Sequence, residues 1–197
     1  ELAPEDTLGL TLLAFFCEQD ADRAANPEAA QTCRDRAERY YEKGLEIEPR
    51  NAEALHGLGR IYQSRALSTG DAKKARDLRK DARLYMEQTI EINPDDTKAL
   101  VNIGGLFLEM THGEKDTNLL SEAATYLQRA EHARPGIAAY NLSCVAARRG
   151  QTDEAKSWLE TADAHGTLPT VEHLESDGDM DVLRDDPWFQ ELLARQK

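Results

Sequence analysis

Apolar residues recur at intervals of three and four along most of the chain, which is the spacing of one face of an α-helix. The stretch from Ala54 to Tyr62, ALHGLGRIY, has a near-copy from Ala99 to Phe107, ALVNIGGLF. Aliphatic, glycine and aromatic residues stand at matching positions in the two stretches. Because the same pattern of residues on a helix face is repeated after 45 residues, we predict an array of similar helical units.

The first of these stretches belongs to a longer pattern that continues into a second predicted helix. The residues at the spacing W-x2-L-G-x2-Y, with leucine in the tryptophan position, are Leu55, Leu58, Gly59 and Tyr62. The residues that continue it, at intervals of four, three and five, are Ala82, Met86, Thr89 and Pro94. In this pattern the sequence resembles the tetratricopeptide repeat family, whose unit is a hairpin of two antiparallel helices.

The pattern occurs four times, and a different segment follows it. The predicted hairpins span about residues 7–51, 52–96, 97–135 and 136–169, within a repeat domain of residues 1–169. Residues 170–197 are predicted to form a C-terminal capping segment and helix, because Asp186 and Pro187 suit the N-cap and first turn of a helix. The resemblance implies an all-α fold, a right-handed superhelical solenoid of antiparallel helix hairpins.

Small residues mark where the two helices of each predicted hairpin must approach closely. The pairs are Ala14 with Ala37, Gly59 with Ala82, Gly104 with Ala123, and Ser143 with Ala155. The last pair is 12 residues apart, as in the family, whereas the first three are 23, 23 and 19 residues apart. The added residues in the second unit are good helix formers around one Ser-Thr-Gly-Asp turn. The first three hairpins are therefore predicted to have longer helices than the fourth.

Composition and motifs exclude several classes of function. The net charge of −13 disfavours nucleic acid as a partner, because phosphate binding requires a basic surface. The longest apolar run is well short of the ~20 residues of a membrane span. No nucleophile elbow, phosphate loop or zinc-binding spacing is present, so we expect no catalytic residues, no cofactor and no metal site. Asp177, Asp179 and Asp181 alternate as in a calcium loop, but its glycine and closing glutamate are missing, which favours a solvated acidic turn.

Two cysteines lie at equal distances from a predicted turn. Cys17 and Cys33 are each eight residues from position 25, next to Asn26-Pro27, so antiparallel helices would bring them level. They are either small apolar residues packed in the hairpin or a disulfide. A disulfide would persist only in an oxidising compartment and would favour the bacterial periplasm or cell envelope, the alternative being the cytoplasm. The absence of an initial Met is compatible with a cleaved leader and equally with a trimmed chain.

The resemblance also implies a binding site, because first helices line the concave groove of these arrays. An asparagine there often bonds the backbone of a bound peptide, and Asn102 and Asn141 occupy such positions. The equivalent positions in the first two units are Leu12 and Gly57. Neighbours expected on the same face are His56, Arg60, Gln63, Lys98, Glu109, Tyr140 and Arg148. The alternative is that the two asparagines are ordinary solvated surface residues.

These patterns favour a non-catalytic adaptor that binds a peptide or helix of a protein partner in the groove. The alternative is a self-associating assembly scaffold, hence a homo-oligomer, and an enzyme is a remote third. A basic cluster is either a solvated helix face or a docking patch for an acidic partner or lipid head group. Its residues are Lys73, Lys74, Arg76, Arg79, Lys80 and Arg83.

Overall fold

The computed structural model describes residues 6–111 and 117–196, and the described part is helical without strands. Residues 1–5, 112–116 and 197 lie outside the described residues. The helices are α1 Thr7–Asp22, α2 Pro27–Ile47, α3 Ala52–Ser68, α4 Ala72–Ile92, α5 Thr97–Met110, α6 Thr117–Ala133, α7 Ala139–Arg148, α8 Thr152–Ala164, α9 Val171–Ser176 and α10 Pro187–Arg195, with a 3-10 helix at Gly178–Leu183. The all-α prediction is confirmed.

Side-chain caps fix where several helices begin. The Asn26 Oδ1 atom accepts a hydrogen bond of 2.8 Å from the Ala29 amide, and proline takes the first position of α2. The carboxylate of Asp71 accepts bonds from two amides at the start of α4. Asp186 caps α10 through the Trp188 amide. The capped helices begin directly after the turns that the sequence predicts. Each cap accepts hydrogen bonds from amides that the first helical turn leaves without a partner.

Two hairpins, α1 with α2 and α3 with α4, form one compact unit, Glu1–Pro94, called here the N-terminal unit. Small residues lie at the contact within each hairpin. Ala14 and Ala37 are completely buried, and a Cβ atom added at Gly59 would lie 3.4 Å from the Ala82 carbonyl oxygen. Bulk at these points would push the two helices apart, which explains the composition of the repeat.

The second compact unit, Asp95–Lys197, contains the hairpins α5 with α6 and α7 with α8, and is called here the C-terminal unit. Ser143 of α7 and Ala155 of α8 are completely buried. A Cβ atom at Gly104 would lie 2.5 Å from the Leu127 Cγ atom. Gly104 therefore lies close against α6, where the contact shown is with Leu127, and its pairing with Ala123 stays a prediction.

Residues 171–195, from α9 through α10, form the C-terminal segment of the same unit. Leu174, Met180 and Phe189 are each completely buried. The 3-10 helix packs against α7. This segment is therefore a fixed part of the core of the unit, since side chains of this size are stabilising mainly through burial.

Helix lengths agree with the predicted insertions. The helices of the last hairpin have 10 and 13 residues, whereas those of the second have 17 and 21. The extra residues of the second hairpin extend both helices up to a short turn that ends at Asp71. The longer hairpins are confirmed. None of the described helices combines the length and the apolar character that crossing a bilayer requires.

Candidate interaction surfaces

Helix α1 exposes an apolar stripe on the side opposite its core contacts. Leu8, Leu12 and Phe15 are 63%, 48% and 43% exposed, and they lie at helical spacing on one face. Ala14 and Cys17, on the other side, are buried against α2. Large apolar side chains grouped in this way are unusual on a surface without a binding role.

Helix α3 packs beside α1 and carries three of the predicted groove residues. His56, Arg60 and Gln63 are all half-buried. The Arg60 guanidinium lies 3.7 Å from a carboxylate oxygen of Glu18 on α1. The predicted face therefore exists in the N-terminal unit as an apolar part from α1 and a polar part from α3, with Arg60 already paired within the chain.

Glu18 is a buried acid whose role the sequence did not indicate. The carboxylate oxygen that faces Arg60 also accepts a 2.9 Å hydrogen bond from the Tyr41 hydroxyl. Burial raises the pKa of Glu18, and the opposing effects of Arg60 and of the Tyr41 hydrogen bond are smaller. Burial of Tyr41, followed by the charge of Glu18, raises the pKa of Tyr41. The hydrogen bond between Tyr41 and Glu18 thus joins α2 to α1, the helix that carries the exposed stripe.

Gly57 does not lie on the open face, contrary to the sequence interpretation that placed it in the groove. It is buried, and a Cβ atom added there would come within 2.2 Å of Cζ of the Tyr41 ring. The glycine makes room for an aromatic ring from the preceding hairpin. A glycine inside a helix was the available signal, but the sequence did not indicate which ring it faces.

Replacing Glu18 by glutamine should change how stability depends on pH. In the wild type the folded-state pKa of Glu18 is raised, so the native chain holds this proton more tightly than the unfolded chain. The free energy of unfolding of the wild type should therefore gain, relative to Glu18→Gln, as the pH falls from 7 through the raised pKa, and level off below the unfolded value. Each tenfold difference in proton affinity between the folded and unfolded chain is worth about 1.4 kcal/mol.

Urea unfolding of both proteins at a series of pH values, followed by far-ultraviolet circular dichroism, measures this difference. Tyr41→Phe serves as a companion, because it removes the hydrogen bond and keeps the carboxyl group, at a cost of about 1–2 kcal/mol. A difference between wild type and Glu18→Gln that stays constant from pH 7 to pH 4 would show that Glu18 is not titrating as a buried acid.

A second polar contact between α2 and α3 lies away from the stripe. The guanidinium of Arg65 donates to Asp35 at 2.7 Å and to Glu38 at 2.6 and 2.7 Å. The hydrogen bonds that it donates to Glu38 raise the pKa of Arg65. Burial opposes ionisation of Asp35, but hydrogen bonds from Arg65 and Gln31 lower the pKa of Asp35. This contact fixes the side of α2 that faces α3, and we infer a structural role for it.

The two predicted asparagines lie on α5 and α7, which are in contact in the C-terminal unit. Asn102 and Asn141 are both half-buried, Glu109 is half-buried, and Lys98 is exposed. Within the part of the chain that the structure describes, the side-chain amide of Asn141 makes no hydrogen bond. The use of these asparagines for peptide binding stays a prediction.

Tyr140 and Arg148, also predicted for the groove, are covered by the chain's own C-terminal segment. The Tyr140 hydroxyl donates to a carboxylate oxygen of Asp177. The Arg148 Nε atom donates to Asp179 at 2.6 Å, and its Nη1 atom donates to the Leu108 carbonyl at 2.6 Å. These partners occupy the face of α7 on which a peptide was predicted to lie.

The acidic turn is therefore not the solvated turn that its sequence favours. The side chains of Asp177 and Asp179 are 18% and 12% exposed, because Tyr140 and Arg148 supply the donors that make burial tolerable. Asp181 is exposed and pairs with Arg184. Sequence reasoning missed the first two partners because they lie more than 30 residues away.

Cys144, Asp177 and Asp179 offer ligand atoms within 4.8 Å of one another, a spacing that could hold a metal ion. Their hydrogen bonds point to a structural role. Asp179 is paired with Arg148, and Asp177 accepts bonds from Tyr140 and from the Asp179 amide. Burial first, and then the two carboxylates, raise the pKa of the Cys144 thiol, whereas a metal requires the thiolate. The cluster holds the C-terminal segment against α7.

Cys17 and Cys33 are free thiols in this structure. They lie in one hairpin and are near enough that Cys33 contributes to raising the pKa of Cys17. Burial raises the pKa of Cys17, and Arg36 opposes this effect. A disulfide between them, and the oxidising compartment that it would indicate, stay predictions.

The basic cluster lies along the first half of α4, and some of its residues form ion pairs with acidic residues of the same helix. Lys80 lies 3.7 Å from Asp77, and Arg83 lies 2.7 Å from Glu87. Lys73 and Arg76 are exposed. Pairs of this kind are typical of a solvated helix face, which is the simpler of the two interpretations of the cluster.

The comparisons with known proteins concern the repeat. Residues 40–77, from the second half of α2 to the start of α4, match the family model described as tetratricopeptide repeat. No curated protein matches the sequence. Among solved structures, the crystal structure of MamA protein is 20% identical, with a TM-score of 0.39, covering 82% of this chain and 98% of that one. The crystal structure of YrrB, described as a TPR protein with an unusual peptide-binding site, is 19% identical, with a TM-score of 0.36, covering 98% of this chain and 93% of that one.

The matched range contains the Leu55–Tyr62 motif, which carries the repeat pattern. Around it, the described residues form four helical hairpins. Small residues are buried where the helices of the hairpins meet. Residues 40–77 therefore match the tetratricopeptide repeat family, and the helical hairpins around them have the helix-turn-helix form of its repeat unit.

Proposed function

We propose that this protein is a non-catalytic adaptor whose partner-binding face is the first-helix face of the N-terminal unit. Tetratricopeptide repeats are in general protein-interaction modules without catalytic activity. The observation that carries the proposal is the exposed apolar stripe of Leu8, Leu12 and Phe15 on α1. Beside it lie the half-buried polar side chains of His56 and Gln63 on α3.

The corresponding face of α7 supports this choice by contrast. There the C-terminal segment already supplies the acceptors for Tyr140 and Arg148. Met180 and Leu183 of that segment are completely buried, so moving it would expose apolar surface at a cost of about 1.5–3 kcal/mol for each side chain. A partner would meet a smaller energetic barrier on α1, where the apolar side chains are already exposed.

The chemistry of the face indicates the kind of segment that fits it. The three apolar side chains are spaced at four and three residues along α1, and a partner helix with apolar residues at intervals of three and four would cover them. The polar side chains of His56 and Gln63 on α3 lie beside this stripe. We therefore expect an amphipathic segment whose apolar side chains face α1.

Panning a displayed library of peptides of about 15 residues against the full chain tests this proposal. The selected peptides should share apolar residues at helical spacing. Their affinity should fall about tenfold or more for Leu12→Asp, since the substitution places a charge in the centre of the contact. Fluorescence anisotropy of a labelled selected peptide measures the change.

Leu84→Asp is the matched control, because Leu84 is 52% exposed on α4 and lies outside the stripe. It should bind the selected peptide as the wild type does. Selected peptides that bind Leu12→Asp and wild type equally would overturn the proposed face. Peptides whose binding depends on Asn102 and Asn141 instead would place the site on the C-terminal unit.

A further inference from the structure

The first hairpin has a second exposed face, on the side away from α3. On α2, Asp35 and Glu38 point to Arg65 of α3. Arg36 precedes Glu38 by two residues and so lies nearly opposite, at about 100° per residue. The residues that continue this side at intervals of three and four are Cys33, Arg36, Tyr40, Lys43 and Ile47.

Helix α1 contributes to the same side. Glu18 marks the direction of α3 through its contact with Arg60, and Phe16, two residues earlier, lies nearly opposite. The Phe16 ring is in edge-on contact with the ring of Phe15, with 6.1 Å between their centroids, so this side adjoins the apolar stripe. Because the helices are antiparallel with Cys17 near Cys33, Phe16 is level with Cys33 and Arg36. These residues, Phe16, Cys33, Arg36, Tyr40, Lys43 and Ile47, are called here the end face.

The end face is apolar and basic, although the chain is acidic as a whole. Phe16 and Ile47 are 60% and 43% exposed, and Arg36 and Lys43 are exposed. Asp20, four residues after Phe16 on α1 and near Cys17, adds one carboxylate to the same side, so the two cations exceed the acid by one. A partner for this face should therefore combine an apolar or aromatic surface with carboxylates.

The last hairpin and the final helix present that combination. A cavity of about 440 Å³ lies between α8 and α10, lined by Glu160, Asp163, Ala164, Trp188, Glu191 and Arg195. Glu160 and Glu191 are exposed. The Lys156 ammonium lies 5.8 Å from the centroid of the Trp188 ring and is paired with Asp186, so the carboxylates around the cavity still outnumber the cations Arg195 and Lys156. The volume falls within the range of pockets that take an organic group, and so admits an aromatic side chain.

We propose that the end face of one copy docks onto the α8–α10 cavity of a second copy, with Phe16 against Trp188 and with Arg36 and Lys43 facing Glu160 and Glu191. The two surfaces differ, so the contact is head-to-tail. Complementary charge on two surfaces that every copy carries is the argument for a second copy over a foreign partner. The contact involves few side chains on each side, so it is weak and depends on protein concentration.

Sedimentation equilibrium of the full chain over a concentration series tests this proposal. The wild type should associate increasingly with concentration, and association should weaken between about 0.1 and 1 M salt because screening reduces the charge pairing. A head variant, Phe16→Ser with Arg36→Glu, and a tail variant, Glu160→Arg with Glu191→Arg, should each lower the association constant about tenfold or more. All four side chains lie on the surface, and circular dichroism checks that the variants fold.

Mixing the two variants gives the decisive result. Each retains one intact surface, so an equimolar mixture should form a one-to-one complex that does not grow further. The control, Leu84→Ser with Arg76→Glu, removes one exposed apolar and one exposed basic residue from α4 and should associate as the wild type does. A wild type that stays monomeric, a mixture that fails to pair, or a control that loses association equally would overturn the proposal.

Discussion

Replacing Arg148 by methionine should lower the free energy of unfolding of the C-terminal unit by about 2–4 kcal/mol. The side chains of Arg148 and Asp179 are only 13% and 12% exposed, so the substitution leaves a largely buried carboxylate without its counter-charge. It also removes the donor to the Leu108 carbonyl. Methionine keeps most of the apolar contact of the arginine stem, so the loss reports the polar contacts.

Urea unfolding followed by tryptophan fluorescence measures this effect, because both tryptophans, Trp158 and Trp188, belong to the C-terminal unit. Arg149→Met is the matched control. Arg149 is exposed and its hydrogen bonds to Ser121 and Leu120 are long, at 3.3 and 3.4 Å, so it should cost less than about 1 kcal/mol. Adding Asp179→Leu to Arg148→Met should recover part of the loss. Equal effects at positions 148 and 149 would contradict the proposed anchoring of the C-terminal segment.

Replacing Gly57 by alanine should destabilise the N-terminal unit by about 1–3 kcal/mol. The new Cβ atom would lie 2.2 Å from Cζ and 2.7 Å from the hydroxyl oxygen of Tyr41. Tyr41 cannot move aside easily, since its ring is buried and its hydroxyl is bonded to Glu18. The substitution therefore strains the contact between the first two hairpins.

Gly105→Ala is the control, because it places the same methyl group on a helix where no atom lies within 4 Å. It should stabilise the chain by about 0.5–1 kcal/mol, as expected when a helical glycine becomes alanine without a clash. Thermal unfolding by circular dichroism should thus shift in opposite directions for the two variants. Stabilisation by both would mean that the ring of Tyr41 does not fill the space beside Gly57.

The hairpins could be predicted from the sequence because their determinants are local. Small residues at fixed spacing, such as Gly59 and Ala82, set the close approach of two helices. Asn26 and Asp186 signal the start of the helices that follow them. The lengthening of the early hairpins followed from residue counts and helix propensity alone.

The surfaces could be predicted only in part, because they depend on partners distant in sequence. Arg148 looks like a groove residue until Asp179, 31 positions away, is placed beside it. Gly57 looks like an open position until the ring of Tyr41 is placed against it. No local pattern brings these pairs together, since the fold of each unit decides which side chains meet. In the sequence, Leu12 is only the first-unit position equivalent to Asn102 and Asn141. In the structure it belongs to the exposed apolar stripe.

Hydrogen exchange of the full chain, with and without a peptide selected for binding to it, tests most directly where the interaction face lies. Bound peptide should slow amide exchange in α1 and α3 and leave residues 177–183 unchanged, because the C-terminal segment keeps the face of α7 covered. Slower exchange in α5 and α7, together with faster exchange in residues 177–183, would contradict the account, since it would mean that the partner displaces the C-terminal segment and binds on the C-terminal unit.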